Sequence, residues 1–329
     1  MEARYVVTKP SYRYYAFGGN RLREYGKSVA ERVSESWEFS LYPGSVSGLQ
    51  QPVGLQEFLS SQMGVPEADQ RRLPLVKLLD VSGVLPVHCH PNDEQAATVS
   101  GDDPGKDEAW LILHTGPRAA VYLGFNRAVT DSEIETAVRD QQLRKLMTRI
   151  TPREGDVFMI PAGLPHAAED VLVYEVQQTS DRSSFAEGMD LMGQAMPFTQ
   201  AREELKTFLA WARKKPAAPA LSNARWDVDA LGRAVPLAGC NHVFMEGYNL
   251  TADPFEIACG VYTAIDEPIR VFDDALTMVP RGTTFLVGPR GRIGAADPGA
   301  RRARVVRSWM TSEKDRERFQ AEGRYFEGA

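Results

Sequence analysis

Runs rich in Val, Ile, Leu, Phe and Tyr recur along the chain between joints of Gly, Pro and Asp: "SWEFSLYPGSVSG", "PLVKLLDVSG", "EAWLILHTGPRAAVYLGF", "GDVFMIPAG", "DVLVYEVQQ" and, later, "DPFEIACGVYTAI" and "TTFLVGPRGRI". Short strands at this spacing predict antiparallel sandwiches or barrels rather than βαβ units. Two stretches change to a helical period. Residues 130–149 open on a Thr/Asp/Ser cap and carry Ile134, Ala137, Val138, Leu143 and Leu146 near helical spacing, which predicts a helical insertion between strands. Residues 199–215 place Leu205, Phe208, Leu209 and Trp211 on one face, and the Pro/Ala-rich "PAAPALSN" follows. The expected organisation is a first domain over 1–215, which holds the insertion and the following helix, and a second, smaller β domain over 216–329.

Composition narrows the picture. The chain has 329 residues, 43% hydrophobic and 25% charged, enough to bury a sizeable core or two that share a boundary. A net charge of −6 gives no general attraction to nucleic acid or to an anionic membrane, so neither is expected as a partner. There is no basic-then-apolar leader at the start, and no run of about 18 apolar residues. A cytoplasmic protein is expected. The three cysteines, Cys89, Cys240 and Cys259, are too few and too scattered for a disulfide framework or a paired-thiolate zinc site.

Only five histidines occur, and three fall in one ordered pattern. In "LPVHCHPND" a strand would put His88 and His90 on one face and turn Cys89 to the other. Further on, Glu108 heads the strand of "GKDEAWLIL", and His166 follows the Pro-Ala-Gly turn of "GDVFMIPAGLPHA". Three neutral imidazoles and a carboxylate suit zinc, iron, manganese or nickel, and leave positions open for water or substrate. Cys89, facing away, reads as a small buried hydrophobe rather than a nucleophile. "GCNH" offers Cys240 and His242 as half of another metal site, with no partners visible in the sequence.

The HxH, Glu and GDxxxxPAGxxH set resembles the cupin superfamily. The wider context, including "YAFGGNRLREYGK", "SESWEFS" and "LVYEVQQTSD", resembles the type I phosphomannose isomerases up to about residue 185. The resemblance implies a jelly-roll fold and a zinc-dependent aldose-ketose isomerase acting on a sugar or sugar phosphate. The family's Gln, His, Glu and His ligands fall on His88, His90, Glu108 and His166, with His in place of the Gln. It also implies polar active-site roles for Lys77, Lys106 and Glu175. Two departures stand out: Phe185 occupies the place of a family Arg, for which Arg182 is the nearest substitute, and Pro86 occupies the place of a phosphate-binding Ser. The resemblance also implies that Trp37 and Glu38 of "SESWE" lie near the pocket mouth, with core packing as the alternative reading of Trp37.

The expectation is therefore a mostly β cupin barrel with a helical insertion and a degenerate second β domain, existing as a monomer or homodimer. It would bind zinc, with manganese, iron or nickel as alternatives, and catalyse aldose-ketose isomerisation. Lys106, Glu175, Lys77 and Arg182 are the candidate catalytic residues. A sugar-binding homologue without turnover, and another metal-cupin reaction such as epimerisation or oxygenation, are the competing readings.

Overall fold

The strand-forming runs become three antiparallel sheets in the computed structural model, which describes residues 5–27, 29, 31–99, 102–216, 220–223, 232–272, 276–297 and 303–326. The first, nine-stranded sheet runs Ala220–Asn223, Asp156–Ile160, Glu108–Phe125, His166–Gln177, Leu75–Cys89, Glu35–Phe39, Ser11–Arg13. Met147–Ile150 adds to Glu108–Phe125, and Ser184–Phe185 adds to Leu75–Cys89. The mostly β expectation is met.

Three long strands of this sheet carry the chemistry, and none of them is straight. Their ladders slip register between Val81 and Val84, between Ile112 and His114, and between Thr115 and Ala120. Residues left unpaired on one side of a ladder bend and twist the strand. The register pairs Glu108 with Gln177 and His166 with Leu123. On a flat sheet Gln177 and His166, eleven positions apart, would be separated by about 36 Å at about 3.3 Å per residue. Glu108 nevertheless touches His166, so the sheet rolls back on itself. Phe17, Leu79, Trp110, Ile112, Val121 and Phe158 belong to the buried cluster that fills the roll.

A seven-stranded sheet covers it. Its order is Ala234–Gly239, Val243–Asn249, Arg304–Met310, Gly260–Ala264, Thr284–Val287, Tyr5–Lys9, Gly48–Leu49. The N-terminal strand thus pairs with Thr284–Val287, in the later half of the chain. One apolar cluster joins Val76, Leu78, Leu111 and Val176 of the first sheet to Leu237, Phe244, Val261 and Val306 of the second. Within this interface the Tyr174 hydroxyl bonds to the Ser308 hydroxyl at 2.8 Å. A small four-stranded sheet, which includes Ile269–Phe272 and Arg292–Ala295, completes the later half.

The first helical stretch is shorter than its apolar spacing suggests. A helix spans Asp131–Arg139, a 3-10 turn spans Leu143–Leu146, and Met147–Ile150 is a strand. Thr130 and Glu133 form a reciprocal capping box at the start. The helix stops because Gln141 takes a positive φ of 55°, incompatible with continued right-handed winding. The second helix spans Phe198–Trp211, starting one residue and ending four residues before the bounds that the spacing indicates, with Pro197 as N-cap. Ile134, Leu143 and Phe208 from these elements pack over Val87 and Cys89, on the outer face of the histidine strand. Of the Pro/Ala joint, residues 217–219 lie outside the described residues. No helix among the described residues is long and apolar enough to cross a membrane.

Candidate metal centre

Strand alternation delivers what the HxH spacing implies: His88 and His90 face into the roll while Cys89 is wholly buried on the other side, its Sγ 3.9 Å from the Phe208 carbonyl. Burial raises the Cys89 thiol pKa well above its ordinary value, so it stays an inert hydrophobe. His166 opens the partner strand directly opposite His88. The Pro-Ala-Gly turn before it needs Gly163 at φ 80°, where a Cβ would also meet the Trp211 carbonyl at 2.8 Å. The Gly163 N–H donates to the His90 carbonyl at 2.7 Å, which ties the turn to the HxH strand.

The three imidazoles converge. Ring centroids are 5.1 Å apart for His88 and His90, 4.0 Å for His88 and His166, and 4.9 Å for His90 and His166. One nitrogen from each lies within 4.8 Å of the others. Each Nδ1 faces a backbone carbonyl: Pro86 for His88, Arg182 for His90 and Leu164 for His166, at 2.8, 2.8 and 2.9 Å. A carbonyl only accepts, so every Nδ1 carries the proton and every Nε2 keeps a lone pair. Orientation of a ligating imidazole through its far nitrogen is how metal sites fix both tautomer and aim.

Glu108 adds a carboxylate to two of the three rings. Its Oε1 lies 3.0 Å from Nε2 of His166 and its Oε2 3.3 Å from Nε2 of His90. Oε1 of Glu108 and Nε2 of His166 are buried without a hydrogen-bond partner, while Oε2 of Glu108 faces the Lys106 ammonium at 2.8 Å. Lone pairs turned toward each other in a dry site call for a cation, so the residues present fit a metal ion. Burial pushes the Glu108 carboxyl up, but the Lys106 ammonium, with His90 and His166, outweighs it and holds the group well below the usual carboxylate range. His88 is lowered well below the ordinary imidazole value by burial and by His166; His90, by burial and Lys106, falls to about 3. Both are neutral at pH 7, as ligation requires.

The candidate catalytic residues divide. Lys106 lies 2.8 Å from Oε2 of Glu108 and 3.1 Å from Nε2 of His90. Lys77 lies 3.3 Å from Oε1 of Glu175, its cross-strand partner, and 3.7 Å from Oε2 of Glu35. Burial lowers the Lys77 pKa, but Glu35 and Glu175 more than reverse this, and the amine stays charged. Burial, then Glu108, raises the Glu175 carboxyl. Oε2 of Glu175 accepts from Trp110 Nε1 at 2.7 Å, and the Trp110 ring sits edge-on to His166 at 5.4 Å. Lys77, Lys106, Glu175 and His88 all line one cavity of about 110 Å³. Arg182 does not line it. Its backbone carbonyl orients His90, and its guanidinium Nε lies 3.5 Å from Asp103.

Sequence reasoning missed part of the wall. Tyr15, Glu35, Asp181 and Ser183 also line the cavity. Glu38 does not belong there: it pairs with Lys27 at 2.7 Å on the opposite face of its strand. Trp37 is buried beneath Lys77, whose ammonium sits 4.8 Å from the ring centroid. Alternation from Trp37 selects Glu35, whose Oε2 accepts from Trp37 Nε1 at 2.7 Å. Phe185 lines the cavity too, stacked on His88 with centroids 5.4 Å apart.

No family model matches the chain. It is 32% identical to mannose-6-phosphate isomerase ManA of Bacillus subtilis over 183 residues, 53% of this chain and 57% of that protein. It is 30% identical to mannose-6-phosphate isomerase of Streptococcus mutans over 174 residues, 50% of this chain and 54% of that one. The matched stretch thus spans little more than half the length of these relatives. In three dimensions the likeness extends further. The crystal structure of the mannose 6-phosphate isomerase from Bacillus subtilis superposes with a TM-score of 0.74 at 20% identity, covering 93% of this chain and 99% of that one. A mannose 6-phosphate isomerase bound with zinc and yttrium superposes at 0.67 with 14% identity, covering 94% and 100%. The chain has the cupin-type β fold of these structures, and its resemblance to the phosphomannose isomerases holds at both levels.

Proposed function

We propose that this chain is a metal-dependent aldose-ketose isomerase acting on a sugar or sugar phosphate. The observation that carries the proposal is the convergence of three imidazole lone pairs, each fixed by a backbone carbonyl, beside the buried Glu108 carboxylate, whose Oε1 has no hydrogen-bond partner. His88, His90, Glu108 and His166 would hold the ion, and zinc suits three nitrogens and one oxygen. The likeness to proteins named mannose-6-phosphate isomerase supports the same reading.

Aldose-ketose isomerisation moves a proton between C1 and C2 through an enediol, which needs a base and a path for hydroxyl protons. When bound, the cation supplies positive charge where oxygen becomes negative. Glu175, raised by burial, is the base for the carbon-bound proton, and Lys77 holds its carboxylate in place. Lys106, at the cavity wall beside Glu108, exchanges protons with the sugar hydroxyls. Leu79, Leu85 and Trp110 keep the cavity apolar on one side, which limits water at the reacting carbons.

The test is incubation of zinc-loaded protein in deuterated water with aldoses and their 6-phosphates. Deuterium at C2 and formation of ketose are expected for at least one of them; neither from any of them overturns the reading. One observation favours the alternative of sugar binding without turnover. Phe185, stacked on His88, offers no charge where the resemblance places an Arg. Saturable sugar binding with no exchange would establish that alternative.

A further inference from the structure

The half-site "GCNH" acquires partners only through folding. Cys240 and His242 lie in the turn between the strands Ala234–Gly239 and Val243–Asn249 of the second sheet. Asp107 immediately precedes the Glu108–Phe125 strand of the first sheet. One donor atom from each of Asp107, Cys240 and His242 lies within 4.8 Å of the other two. We propose that these three residues form a second metal site, selective for zinc, that clips the two sheets together.

The surroundings are built as an ordered coordination sphere. Nδ1 of His242 lies 2.8 Å from Oδ2 of Asp107, while its Nε2 lies 3.2 Å from Oδ2 of Asp93. Asp93 orients the ring from behind while Nδ1 faces the other two donors; without an ion the hydrogen bonds to Asp107 and Cys240 raise His242 to about 10, so ligation displaces the Nδ1 proton. Asp93 is itself fixed: its Oδ1 accepts from Gly105 N at 2.7 Å and from Gln178 Nε2 at 3.1 Å. Oδ1 of Asp107 accepts from Ala162 N at 2.8 Å, which leaves Oδ2 for the ion, and the Asp107 N–H donates to Gln178 at 2.9 Å.

A paired imidazole between two aspartates has no need of a thiol, yet Cys240 is buried against it. Its Sγ contacts the His242 ring and lies 3.5 Å from the Val243 carbonyl. One sulfur, one nitrogen and one oxygen are a zinc donor set, and thiolate with carboxylate neutralises a divalent ion. The His242 side chain is 36% exposed, so a water can reach the fourth position. Successive residues in extended backbone point to opposite faces, so Asp107 and Glu108 serve two separate centres back to back.

Cobalt distinguishes the two centres, because the first contains no sulfur. Chelator-treated full-length protein, checked for folding by circular dichroism, is titrated with Co2+. The expected result is uptake of two equivalents with a thiolate-to-cobalt charge-transfer band in the near ultraviolet. Cys240→Ser should take up one equivalent and lose the band, whereas Cys259→Ser, which alters an unrelated thiol, should keep both. Asp93→Asn should weaken the second binding event by about 10–100-fold and leave the first unchanged. Zinc content of the protein as purified gives an independent count, two per chain falling to one in Cys240→Ser. A single equivalent without the band in the wild type, or a band that survives Cys240→Ser, overturns the proposal.

Discussion

Nε2 of His166 lies 3.0 Å from Oε1 of Glu108, and neither atom has a hydrogen-bond partner although both are buried. A lone pair faces a carboxylate there, because the ring's only proton is committed to the Leu164 carbonyl. The contact makes sense with a cation between or beside the two groups. Glu108→Gln is therefore expected to reduce metal affinity by on the order of 100-fold or more and activity with it. Elemental analysis of the purified variant beside its kcat checks this; full metal content would remove Glu108 from the ligand set.

Glu175 and Lys77 face each other across two strands at 3.3 Å, both almost fully buried. Glu175→Gln keeps the Trp110 hydrogen bond within reach but removes the base. A drop in kcat of about 10²–10⁴-fold with unchanged metal content is expected. Lys77→Ala is a different lesion: it strands Glu175 and Glu35 without their cation. Loss of one partner of a buried pair costs about 3–5 kcal/mol, measurable by denaturant unfolding.

Phe185 sits on the His88 ring, beside the cavity. Phe185→Arg introduces a fork of donors suited to a phosphate or an enediolate oxygen. The ratio of kcat/KM for a sugar 6-phosphate over the free sugar should rise at least about tenfold, equivalent to one charge-assisted hydrogen bond. An unchanged ratio would place the phosphate end of any substrate elsewhere.

His90 is lowered to about 3 by burial and Lys106, against about 6.5 in an unfolded chain. Between these values the unfolded state binds the extra proton, so stability rises with pH. The contribution is complete above pH 6.5 and is lost as the pH falls toward 3. Glu175 and Asp181, raised by burial, act in the opposite sense at the acid end, so a difference measurement is needed. In metal-free protein, the unfolding free energy of wild type minus His90→Gln should shrink on acidification from pH 7 to 4. A difference independent of pH would mean that His90 is not held neutral by its surroundings.

Much of this centre was legible in the chain itself. Period-2 alternation in "VHCH" assigns His88 and His90 to one face and Cys89 to the other, and the same rule links Lys106 to Glu108; applied from Trp37 it points to Glu35, whereas the resemblance places Glu38 at the pocket. These are local consequences of the pleat, within reach of a few residues. The turn before His166 is likewise written in Pro-Ala-Gly. The helical period in residues 130–149 reads too long because apolar spacing cannot register the positive φ at Gln141, where the winding stops.

What the sequence could not supply is closure. Glu108 and His166 meet only because three strands lose register near their middles and roll the sheet, a property of ladders formed by residues far apart in the chain. The same long-range packing sets His242 against Asp107 across 135 positions and turns the Arg182 side chain to Asp103 while its carbonyl aims His90. The residues themselves determined which atoms could bind a metal or a proton. The tertiary structure decided which of them share a space, because burial of the two sheets against one core leaves each strand a single way to bend.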